Sequence, residues 1–300
     1  MRYSLRQLEV FLATAHYENI TRAAASLKMS QSAASGSLAE LEQQFDVQLF
    51  DRRGKRLQLS ELGRELRPQA ENLLAQAREF EQSLGGEGVV GRLKLGATLT
   101  IGNYLAVAMI AEFRKLYPQA DVTLEVANTA IIAESVANFE LDVGLIEGEF
   151  HHPELKTQHW RDDELQVFVG RDHPLAKRRT LSDKDLLAET WIVRETGSGT
   201  RQTFDRAMAG LLPDMDISME LQHTEAIKRA VEAGLGIGCL SEISLRDAVV
   251  RGSLVTLSVP HRDFRRQLNI ITHNRKFHGA ALRQWLQLCL PQHVPGASTV

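Results

Sequence analysis

Two groups of polar and basic side chains near the N-terminus carry hydrogen-bond donors at close spacing. The first group opens a predicted helix, where amide and hydroxyl groups suit contacts to base edges or phosphates. It consists of Ser30, Gln31, Ser32 and Ser35. The second group places four cations around one glycine, and consists of Arg52, Arg53, Lys55 and Arg56. Because such cations neutralise backbone phosphates, the two groups together indicate a surface that binds double-stranded DNA.

Two strand-to-helix turns later in the chain gather hydroxyls, glycines and backbone N–H groups. Glycine lets the backbone approach a ligand, and the start of a helix favours negative charge. A facing pair of such turns therefore predicts a site for a small anion. Either Arg194 or Arg201 could add a charge-assisted hydrogen bond. The expected ligand contacts in these turns are Thr98, Leu99, Thr100, Gly197, Ser198, Gly199, Thr200 and Arg201.

Acidic residues also border this predicted ligand site. Glu147 follows a predicted strand, and Glu225 follows Thr224 at the start of a predicted helix. A carboxylate repels an anion unless it is compensated. Glu147 therefore either bonds the backbone of a hinge or accepts a donor group of the ligand, whereas Glu225 could simply favour the start of its own helix. We count Glu147 among the expected ligand contacts but rank the hydroxyl and glycine positions above it.

Three short helices must position the N-terminal polar group. Apolar residues recur at three- and four-residue spacing, Asn19 caps the second helix and Ser30 caps the third. The buried stripes are predicted as Leu5, Leu8, Phe11, Leu12 and Ala15; Ile20, Ala23, Ala24 and Leu27; and Ala34, Leu38, Leu41 and Phe45. Because the last two helices are joined by a short turn, they must cross steeply as a helix-turn-helix, which places Gln31, Ser32 and Ser35 in a major groove.

The basic cluster lies between apolar residues that can form a hairpin. Leu49 precedes it, Leu57 and Leu59 follow it, and Gly54 supplies the turn. The pattern predicts a two-stranded wing that lays its cations against phosphates. The alternative is a structural three-helix bundle with a polar outer face. A charge cluster beside a helix-turn-helix favours the DNA-binding interpretation.

A long, half-polar helix is predicted after the wing, from Ser60 to Leu84, with an intermittent apolar stripe that is interrupted at Pro68. A helix of this kind is not stable alone, so its stripe should pack against a second copy of the chain. The stripe consists of Leu62, Leu66, Leu73, Ala77, Phe80 and Leu84. Glycines at 85, 86, 88 and 91 then indicate a flexible hinge.

The remaining residues alternate strands and helices, which is typical of α/β layers. The predicted strands are 92–97, 122–126, 142–146, 166–169, 191–193, 217–221, 236–240 and 268–272. The predicted helices are 103–116, 131–139, 203–209 and 225–233. The fold class is therefore α/β overall, after an all-α N-terminal region that carries the wing.

Composition narrows the class of protein. Residues 1–60 hold eight Lys or Arg against six Asp or Glu, so the net charge of −3 divides into +2 there and −5 over the rest. The two cysteines, Cys239 and Cys289, are expected to be buried free thiols. No apolar run reaches the length of a membrane span and no signal peptide is evident, so we expect a cytoplasmic protein without a membrane partner.

Enzyme motifs are missing from the sequence. It contains no Walker A loop, no H-E-x-x-H and no G-x-S-x-G elbow, so we expect neither catalytic residues nor a cofactor. The pair His151 and His152 has no third ligand at a suitable spacing, which leaves no expected metal site. An enzyme on a two-lobed α/β fold is thus the less favoured alternative, and a DNA-binding protein without an effector is another.

The chain resembles the LysR-type transcriptional regulators, and residues 1–90 resemble their winged helix-turn-helix and linker helix. The matching runs are Leu5-Arg6-Gln7-Leu8-Glu9-Val10-Phe11, Thr21-Arg22-Ala23-Ala24, Ser30-Gln31-Ser32-Ala33, Leu41-Glu42 and Leu49-Phe50-Asp51-Arg52. Within the second run, Arg22 is added to the expected DNA contacts. The sequence departs from the family at Ser32, where many members have proline, and at Gly36, where many have a basic or larger residue.

The resemblance implies a domain organisation and a set of partners. It implies a DNA-binding domain at 1–59, a dimerising linker and hinge at 60–90, and an effector domain at 91–300 that is similar to periplasmic binding proteins. Its two subdomains would be about 91–163 with 268–300, and about 164–267, with the chain crossing near Asp163 and Gln267. The implied partners are promoter DNA, a small anionic effector, further copies in a homodimer or homotetramer, and RNA polymerase.

Three runs resemble a sulfite-responsive branch of this family. They are Thr100-Ile101-Gly102-Asn103-Tyr104, Glu195-Thr196-Gly197-Ser198-Gly199-Thr200-Arg201 and Glu225-Ala226-Ile227-Lys228. This resemblance implies a sulfur oxyanion, or another small anion, as the effector.

Overall fold

The computed structural model describes residues 2–54, 56–84 and 91–290. Its contacts divide the chain into two units, the first Met1–Gly91 with Arg275–Arg283, and the second Arg92–Asn274 with Gln284–Val300. Lys55 and the predicted hinge glycines 85, 86 and 88 lie outside the described residues. The domain boundaries given above stay a prediction.

The first unit begins with three helices, α1 (Leu5–Tyr17), α2 (Ile20–Ser26) and α3 (Gln31–Phe45). The predicted caps are present, because Asn19 accepts the N–H groups of Thr21 and Arg22, and Ser30 accepts that of Ala33. Their shared core includes Leu8, Phe11, Ala24, Ala34, Leu38 and Leu41. This arrangement confirms the predicted helix-turn-helix.

Two residues of the predicted stripes are not buried. Leu5 and Phe45 are 49% and 41% exposed, so their assignment to the core was wrong. Each lies near an end of its helix, beyond the crossing point at which the three helices cover one another. The Arg2 guanidinium lies over the Phe45 ring, 4.8 Å from its centroid. A cation, and not the apolar core, therefore covers one face of this ring.

The wing consists of two antiparallel strands, β1 (Phe50–Arg53) and β2 (Arg56–Leu59). Arg53 pairs with Arg56 across the turn, where Gly54 adopts a φ of +64° that suits glycine. Phe50 anchors the wing because its ring packs edge-on against Phe11, 5.6 Å between centroids. The predicted wing is confirmed.

The long helix α4 (Glu61–Leu84) continues through Pro68 without a break. The single long helix predicted after the wing is therefore confirmed, because one missing N–H does not end it. Ser60 caps its start by accepting the N–H of Gly63 at 3.0 Å. Toward its end, Phe80 and Leu84 are 67% and 74% exposed. Their apolar surface is left uncovered by this single chain.

The second unit is built on one mixed sheet of nine strands. In chain order, its strands are β3 (Arg92–Thr98), β4 (Asp121–Ala127), β5 (Val143–Glu147), β6 (Leu155–Gly170), β7 (Thr190–Arg194), β8 (Asp216–Leu221), β9 (Ile237–Ser241), β10 (Leu254–Leu257) and β11 (Arg265–His273). Their order in the sheet is β4-β3-β5-β11-β6-β9-β7-β8, and β10 also pairs with β6.

Helices cover this sheet. They are α5 (Leu99–Ile101), α6 (Val107–Leu116), α7 (Thr129–Ala137), α8 (Asp183–Leu187), α9 (Gly199–Ala207), α10 (Thr224–Glu232), α11 (Glu242–Val250) and α12 (Ala280–Cys289). A π-helical turn, Gly102–Ala106, joins α5 to α6. The α/β fold class is confirmed. None of the described helices is long and apolar enough to span a membrane.

The long strand β6 divides this unit into two lobes. Lobe I contains β3, β4, β5, β11 and the first half of β6, with α5, α6 and α7; lobe II contains β7 to β10 and the second half of β6, with α9, α10 and α11. Asp163 pairs with Arg266 where β6 and β11 run side by side between the lobes. We call this place the hinge.

Several elements differ from the predicted pattern, among them β10, which was not predicted, and two elements that bear on the hinge and the ligand turns. Only residues 166–169 of β6 were predicted, because the first half of this strand is mostly exposed and lacks an apolar run. Helix α9 begins at Gly199, four residues before its predicted start, since the Ser198 hydroxyl caps it by accepting the Thr200 N–H at 3.2 Å. Gly199, Thr200 and Arg201 therefore lie in a helical turn and not in an open loop.

The packing around two helical glycines makes opposite predictions for alanine substitution. A Cβ on Gly63 would lie 2.2 Å from the Leu49 carbonyl oxygen, whereas a Cβ on Gly36 would meet nothing within 4 Å. We expect Gly63→Ala to destabilise the first unit by about 1–3 kcal/mol, and Gly36→Ala to stabilise it by about 0.5–1 kcal/mol.

Hydrogen exchange at residues 5–59 of the full chain measures this stability directly. Unchanged protection in Gly63→Ala would contradict the close packing of α4 against Leu49. Loss of protection in Gly36→Ala would mean that α3 is crowded there.

Candidate functional site

The start of α3 presents polar side chains to solvent. Gln31 and Ser32 are exposed and Ser35 is half-buried. Gln31 Nε2 donates to Ser35 Oγ at 2.9 Å, which orients the amide, and the hydroxyls of Ser30 and Ser32 are 3.1 Å apart. Ser30 also caps α3, so part of its role is structural. Arg22 is exposed on the neighbouring α2.

The wing carries cations that the fold itself does not use. Arg52 and Arg53 are exposed, and among the described residues neither forms an ion pair. Arg56 lies 3.7 Å from the Glu18 carboxylate, but both side chains are largely exposed and the pair is weak. The structure thus leaves these guanidinium groups free to contact an anion.

In the second unit, the two lobes meet at the Glu147 carboxylate. Glu147 ends β5 in lobe I and is only 1% exposed. Its Oε1 accepts the backbone N–H of Thr100 at 3.0 Å. Its Oε2 accepts the hydroxyl of Thr200, from lobe II, at 3.0 Å, and Arg266 Nη1 at 2.8 Å. One buried carboxylate therefore ties both predicted ligand turns together.

Arg266 organises the charges around Glu147. Its Nε donates to Asp163 Oδ2 at 2.7 Å, and its Nη1 also donates to the Thr200 hydroxyl at 2.9 Å. Asp163 in turn accepts the Ser241 hydroxyl at 2.8 Å. One guanidinium thus balances two carboxylates in the hinge. We call Glu147, Asp163, Thr200 and Arg266 the hinge cluster.

The hinge cluster keeps its charges although it is buried. Burial alone would raise the pKa of Glu147, but the Arg266 charge and the hydrogen bond from Thr100 lower this pKa below its usual value. Burial would likewise lower the pKa of Arg266, but Glu147 and Asp163 raise it. Glu147 is therefore an ionised hydrogen-bond acceptor at neutral pH.

Glycines of the second ligand turn allow the lobes to approach closely. A Cβ on Gly199 would lie 2.0 Å from the Glu147 carbonyl oxygen. Gly197 has a φ of +89°, and its carbonyl accepts the Ala130 N–H at 3.4 Å. In this structure the glycines bring lobe II against lobe I. The sequence also suggested that these glycines let the backbone approach a ligand, and this role stays a prediction.

The arginines near this turn already have partners in lobe II. Arg194 is buried and bonds both carboxylate oxygens of Glu195, at 2.8 and 3.0 Å. Arg201 pairs with Asp205 and with Glu220, each at 2.8 Å. A ligand contact from either arginine would require an exchange of partners.

Two threonine hydroxyls remain without partners in this region. Thr98 ends β3 in lobe I and Thr224 begins α10 in lobe II; both are almost fully buried. Among the described residues, neither Oγ1 makes a hydrogen bond of acceptable geometry, although the Thr98 hydroxyl lies close enough to the Glu147 carboxylate to help lower its pKa. An unmade hydrogen bond in a buried place is costly, so a bound ligand would gain by meeting these groups. The other turn residues, Leu99 and Ser198, are also buried.

A cavity of about 890 Å³ lies on the hinge but suits an anion poorly. Six carboxylates and three guanidinium groups line it, so its net charge is negative. The lining residues are Glu149, Asp162, Asp163, Glu164, Arg206, Glu242, Asp263, Arg265, Arg266 and Gln267. The unpaired threonines mark a better place for an anion.

Neither cysteine nor histidine residues add a site. Cys239 and Cys289 are buried free thiols, as predicted, and burial raises the pKa of each. His152 Nδ1 accepts the Glu154 N–H at 3.2 Å. Within residues 2–54, 56–84 and 91–290, no group of His, Cys, Asp or Glu side chains is placed to hold a metal ion.

Sequence comparison identifies two family regions and a similar regulator. Residues 5–64 match the bacterial regulatory helix-turn-helix protein, lysR family, and residues 86–293 match the LysR substrate binding domain. The chain is 43% identical over 295 residues to the HTH-type transcriptional regulator YeiE of Escherichia coli K12. That alignment covers 98% of this chain and 100% of the relative.

Solved structures share the fold. A full-length variant of OxyR from Pseudomonas aeruginosa superposes with a TM-score of 0.72 at 22% identity, covering 97% of this chain and 94% of that one. The regulatory domain of Synechocystis CcmR in complex with 2-PG superposes with a TM-score of 0.62 at 29% identity. It covers 69% of this chain and all of that one.

The hinge cluster predicts a large effect of removing the Glu147 charge. Glu147→Gln replaces a charged acceptor with an amide, so Thr100, Thr200 and Arg266 lose charge-assisted hydrogen bonds, although Asp163 still balances the Arg266 charge. We expect this variant to lose about 1.5–3 kcal/mol of stability at neutral pH. Urea unfolding followed by tryptophan fluorescence measures the second unit, because Trp160, Trp191 and Trp285 all lie there.

The pH dependence follows from the lowered pKa of Glu147. Its contribution to stability is present above its usual value of 4.5 and is lost as the pH falls through the lower pKa of the folded state. The difference between wild type and Glu147→Gln should therefore shrink in acid. Glu149→Gln is the matched control, since Glu149 forms an exposed pair with Arg206. Equal effects of the two variants at neutral pH would contradict the hinge cluster.

Proposed function

Because the chain belongs to the LysR family of transcriptional regulators, we propose that it binds promoter DNA under the control of a small anion held between its two lobes. The family confirms the prediction of a regulator and not an enzyme. The observation that carries the proposed control is the pair of buried, unpartnered hydroxyls of Thr98 and Thr224, one from each lobe.

DNA recognition is assigned to the start of α3 and to the wing. The Gln31 amide can pair with a base edge in the major groove, and Ser32 and Ser35 can add hydroxyl contacts. Cations around them suit phosphates because the fold leaves their charges exposed. The proposed DNA contacts are Arg22, Ser30, Gln31, Ser32, Ser35, Arg52, Arg53, Lys55 and Arg56.

The effector is assigned to the region around Thr98 and Thr224. A small ligand is favoured because the remaining groups there are short hydroxyls and backbone N–H groups. The other contacts proposed from the sequence are Leu99, Thr100, Glu147, Gly197, Ser198, Gly199, Thr200 and Arg201. The resemblance to a sulfite-responsive branch supports a sulfur oxyanion as this small ligand.

Glu147 adds a chemical restriction on the effector. An ionised carboxylate repels a nearby oxyanion unless that anion carries a proton to donate. An oxyanion that keeps a proton at neutral pH, such as hydrogen sulfite, satisfies this condition. Sulfate is fully deprotonated and does not. Glu147 thus favours sulfite over sulfate.

Control of DNA binding requires more than one copy of the chain. The exposed Phe80 and Leu84 of α4 provide an apolar surface for a second copy, so we propose a homodimer that pairs again into a homotetramer. Two DNA-binding units side by side then match a two-fold symmetric operator. An anion that alters the arrangement of the lobes changes the spacing of these units and the access of RNA polymerase to the promoter. As a DNA-binding regulator, the protein is assigned to the cytoplasm.

The wing proposal predicts a salt-dependent loss of DNA affinity. Arg52→Ala and Arg53→Ala should each weaken binding to operator and scrambled duplexes alike, because phosphate contacts carry no sequence information. The slope of log K against log salt should fall by about 0.9 for each lost contact. Fluorescence anisotropy over a salt series measures both quantities.

Arg171→Ala is the control, since Arg171 is an exposed cation of the second unit. It should leave the slope unchanged. A wild-type slope in Arg52→Ala and Arg53→Ala would remove the wing from the DNA interface.

The cleft proposal predicts that one hydroxyl can be removed without loss of stability. Thr98→Val keeps the shape of the side chain but removes an unpartnered buried group, so its melting temperature should match or exceed that of wild type. Sulfite should raise the melting temperature of the wild type, and its affinity should fall about tenfold in Thr98→Val. Thermal shift and titration calorimetry with sulfite and sulfate measure these effects.

Thr203→Val is the matched control, because the buried Thr203 hydroxyl already donates to the Gly199 carbonyl at 3.0 Å. It should keep the wild-type affinity for sulfite. Wild-type affinity in Thr98→Val would misplace the cleft, and the absence of any shift with oxyanions in the wild type would exclude this effector class.

A further inference from the structure

The two lobes also touch at a place separate from the hinge cluster. Tyr104, in the π-helical turn of lobe I, donates its hydroxyl to Glu225 Oε1 in lobe II at 2.5 Å. Lys228 Nζ donates to the same hydroxyl at 3.2 Å and lies 5.5 Å from the centroid of the Tyr104 ring. Both lobe II residues belong to α10. We call these three side chains the Tyr104 contact.

Lys228 also has partners within lobe II. It is almost fully buried, its Nζ donates to the Ser244 carbonyl at 3.0 Å, and it forms an ion pair with Glu225 at 2.5 Å. With the Tyr104 hydroxyl, these partners use all three donors of the ammonium group. Lobe II thus offers Tyr104 a preformed acceptor and a preformed donor.

The charge states of the Tyr104 contact are consistent with this geometry. Burial and the hydrogen bond to Glu225 raise the pKa of Tyr104, so its hydroxyl keeps the proton that it donates. Burial would raise the pKa of Glu225, but the hydrogen bonds from Lys228 and Tyr104 lower it. The acceptor is therefore a carboxylate, which strengthens the hydrogen bond.

The chain connects the Tyr104 contact directly to both unpartnered hydroxyls. Thr98 precedes the short segment that leads through α5 into the π-helical turn, and Thr224 is the residue before Glu225. A π-helical turn is rare and often marks a functional site. Joining Tyr104 to Glu225 therefore holds the segments of Thr98 and Thr224 at a set separation.

The Tyr104 contact lines a cavity that does not include the two threonines proposed to meet the ligand. Its three side chains line a cavity of about 340 Å³ together with residues of α10 and α11, and neither Thr98 nor Thr224 contributes to that cavity. An effect of Tyr104 on ligand binding would therefore be transmitted through the separation of the lobes.

We propose that Tyr104, acting through Glu225 and Lys228, is a positioning residue for effector binding: it holds the two hydroxyl-bearing segments together and slows release of the ligand. This inference rests on the proposed effector site. It adds a residue that sets residence time without touching the ligand.

Tyr104→Phe tests the inference because it removes one hydroxyl and keeps the ring. We expect the dissociation rate of sulfite from the full-length protein to rise about tenfold, with the association rate nearly unchanged. Tyr117→Phe is the matched control: its hydroxyl donates to Gln284 Oε1 at 2.6 Å outside the contact between the lobes. This control should bind sulfite as the wild type does.

A double-mutant cycle separates positioning from direct contact. If Tyr104 acts through Glu225, the effects of Tyr104→Phe and Glu225→Gln on the dissociation rate should be strongly non-additive. Additive effects would overturn the inference, because each residue would then act on the ligand by itself.

Hydrogen exchange of the ligand-free protein provides a readout that does not depend on the effector. Amides at 98–104 and 223–228 should exchange faster in Tyr104→Phe than in wild type or Tyr117→Phe. Unchanged exchange with an unchanged dissociation rate would overturn the inference. If the wild type binds no sulfite, the proposed ligand fails, and the exchange data alone decide whether Tyr104 holds the lobes.

Discussion

The ion cluster at the hinge constrains the rest of the second unit. Arg266 is buried and must meet Glu147 from β5 and Asp163 from β6 at hydrogen-bond distance. Removing these charges from water is costly, and only good geometry offsets that cost. The registers of β5, β6 and β11 are therefore fixed relative to one another. The same constraint explains the glycine at position 199. Helix α9 must approach Glu147 closely for Thr200 to join the cluster, and a side chain at position 199 would collide with the Glu147 backbone.

This constraint also shapes the proposed ligand site. The Thr100 N–H, the Thr200 hydroxyl and Arg266 are donors of the kind that bind oxyanions, yet here they bind the internal carboxylate of Glu147. An external anion would therefore enter a region in which most hydrogen-bond donors already bind Glu147 and in which the Glu147 carboxylate is negatively charged. In the proposed site, selectivity would therefore depend on the hydroxyls of Thr98 and Thr224 and on whether the anion can donate a proton to Glu147.

Local signals predicted the first unit well, whereas the hinge cluster depends on contacts that are distant in sequence. Caps at Asn19 and Ser30 and the apolar periodicity were sufficient for the helix-turn-helix, because these interactions span a few residues. Arg266 was missed, although a signal existed. It shares a strand face with Leu268 and Ile270, which are both buried, so alternation along β11 places this arginine inside as well. Its partners could not be read from the sequence, since Glu147 and Asp163 are more than a hundred residues away.

The ties between the lobes differ in burial, and this difference suggests how the cleft opens. The hinge cluster is buried, and breaking it would leave a charge without compensation, at a cost of about 3–5 kcal/mol. The pair of Arg206 with Glu149 is exposed on both sides, so it contributes at most about 1 kcal/mol and water can replace it readily. The Tyr104 contact is intermediate, because Lys228 is buried but Glu225 is more than half exposed. The two lobes should therefore separate by rotating about Arg266, while the more exposed contacts between them break. Substitutions at these exposed contacts, and not in the hinge cluster, can then adjust how long a ligand stays bound.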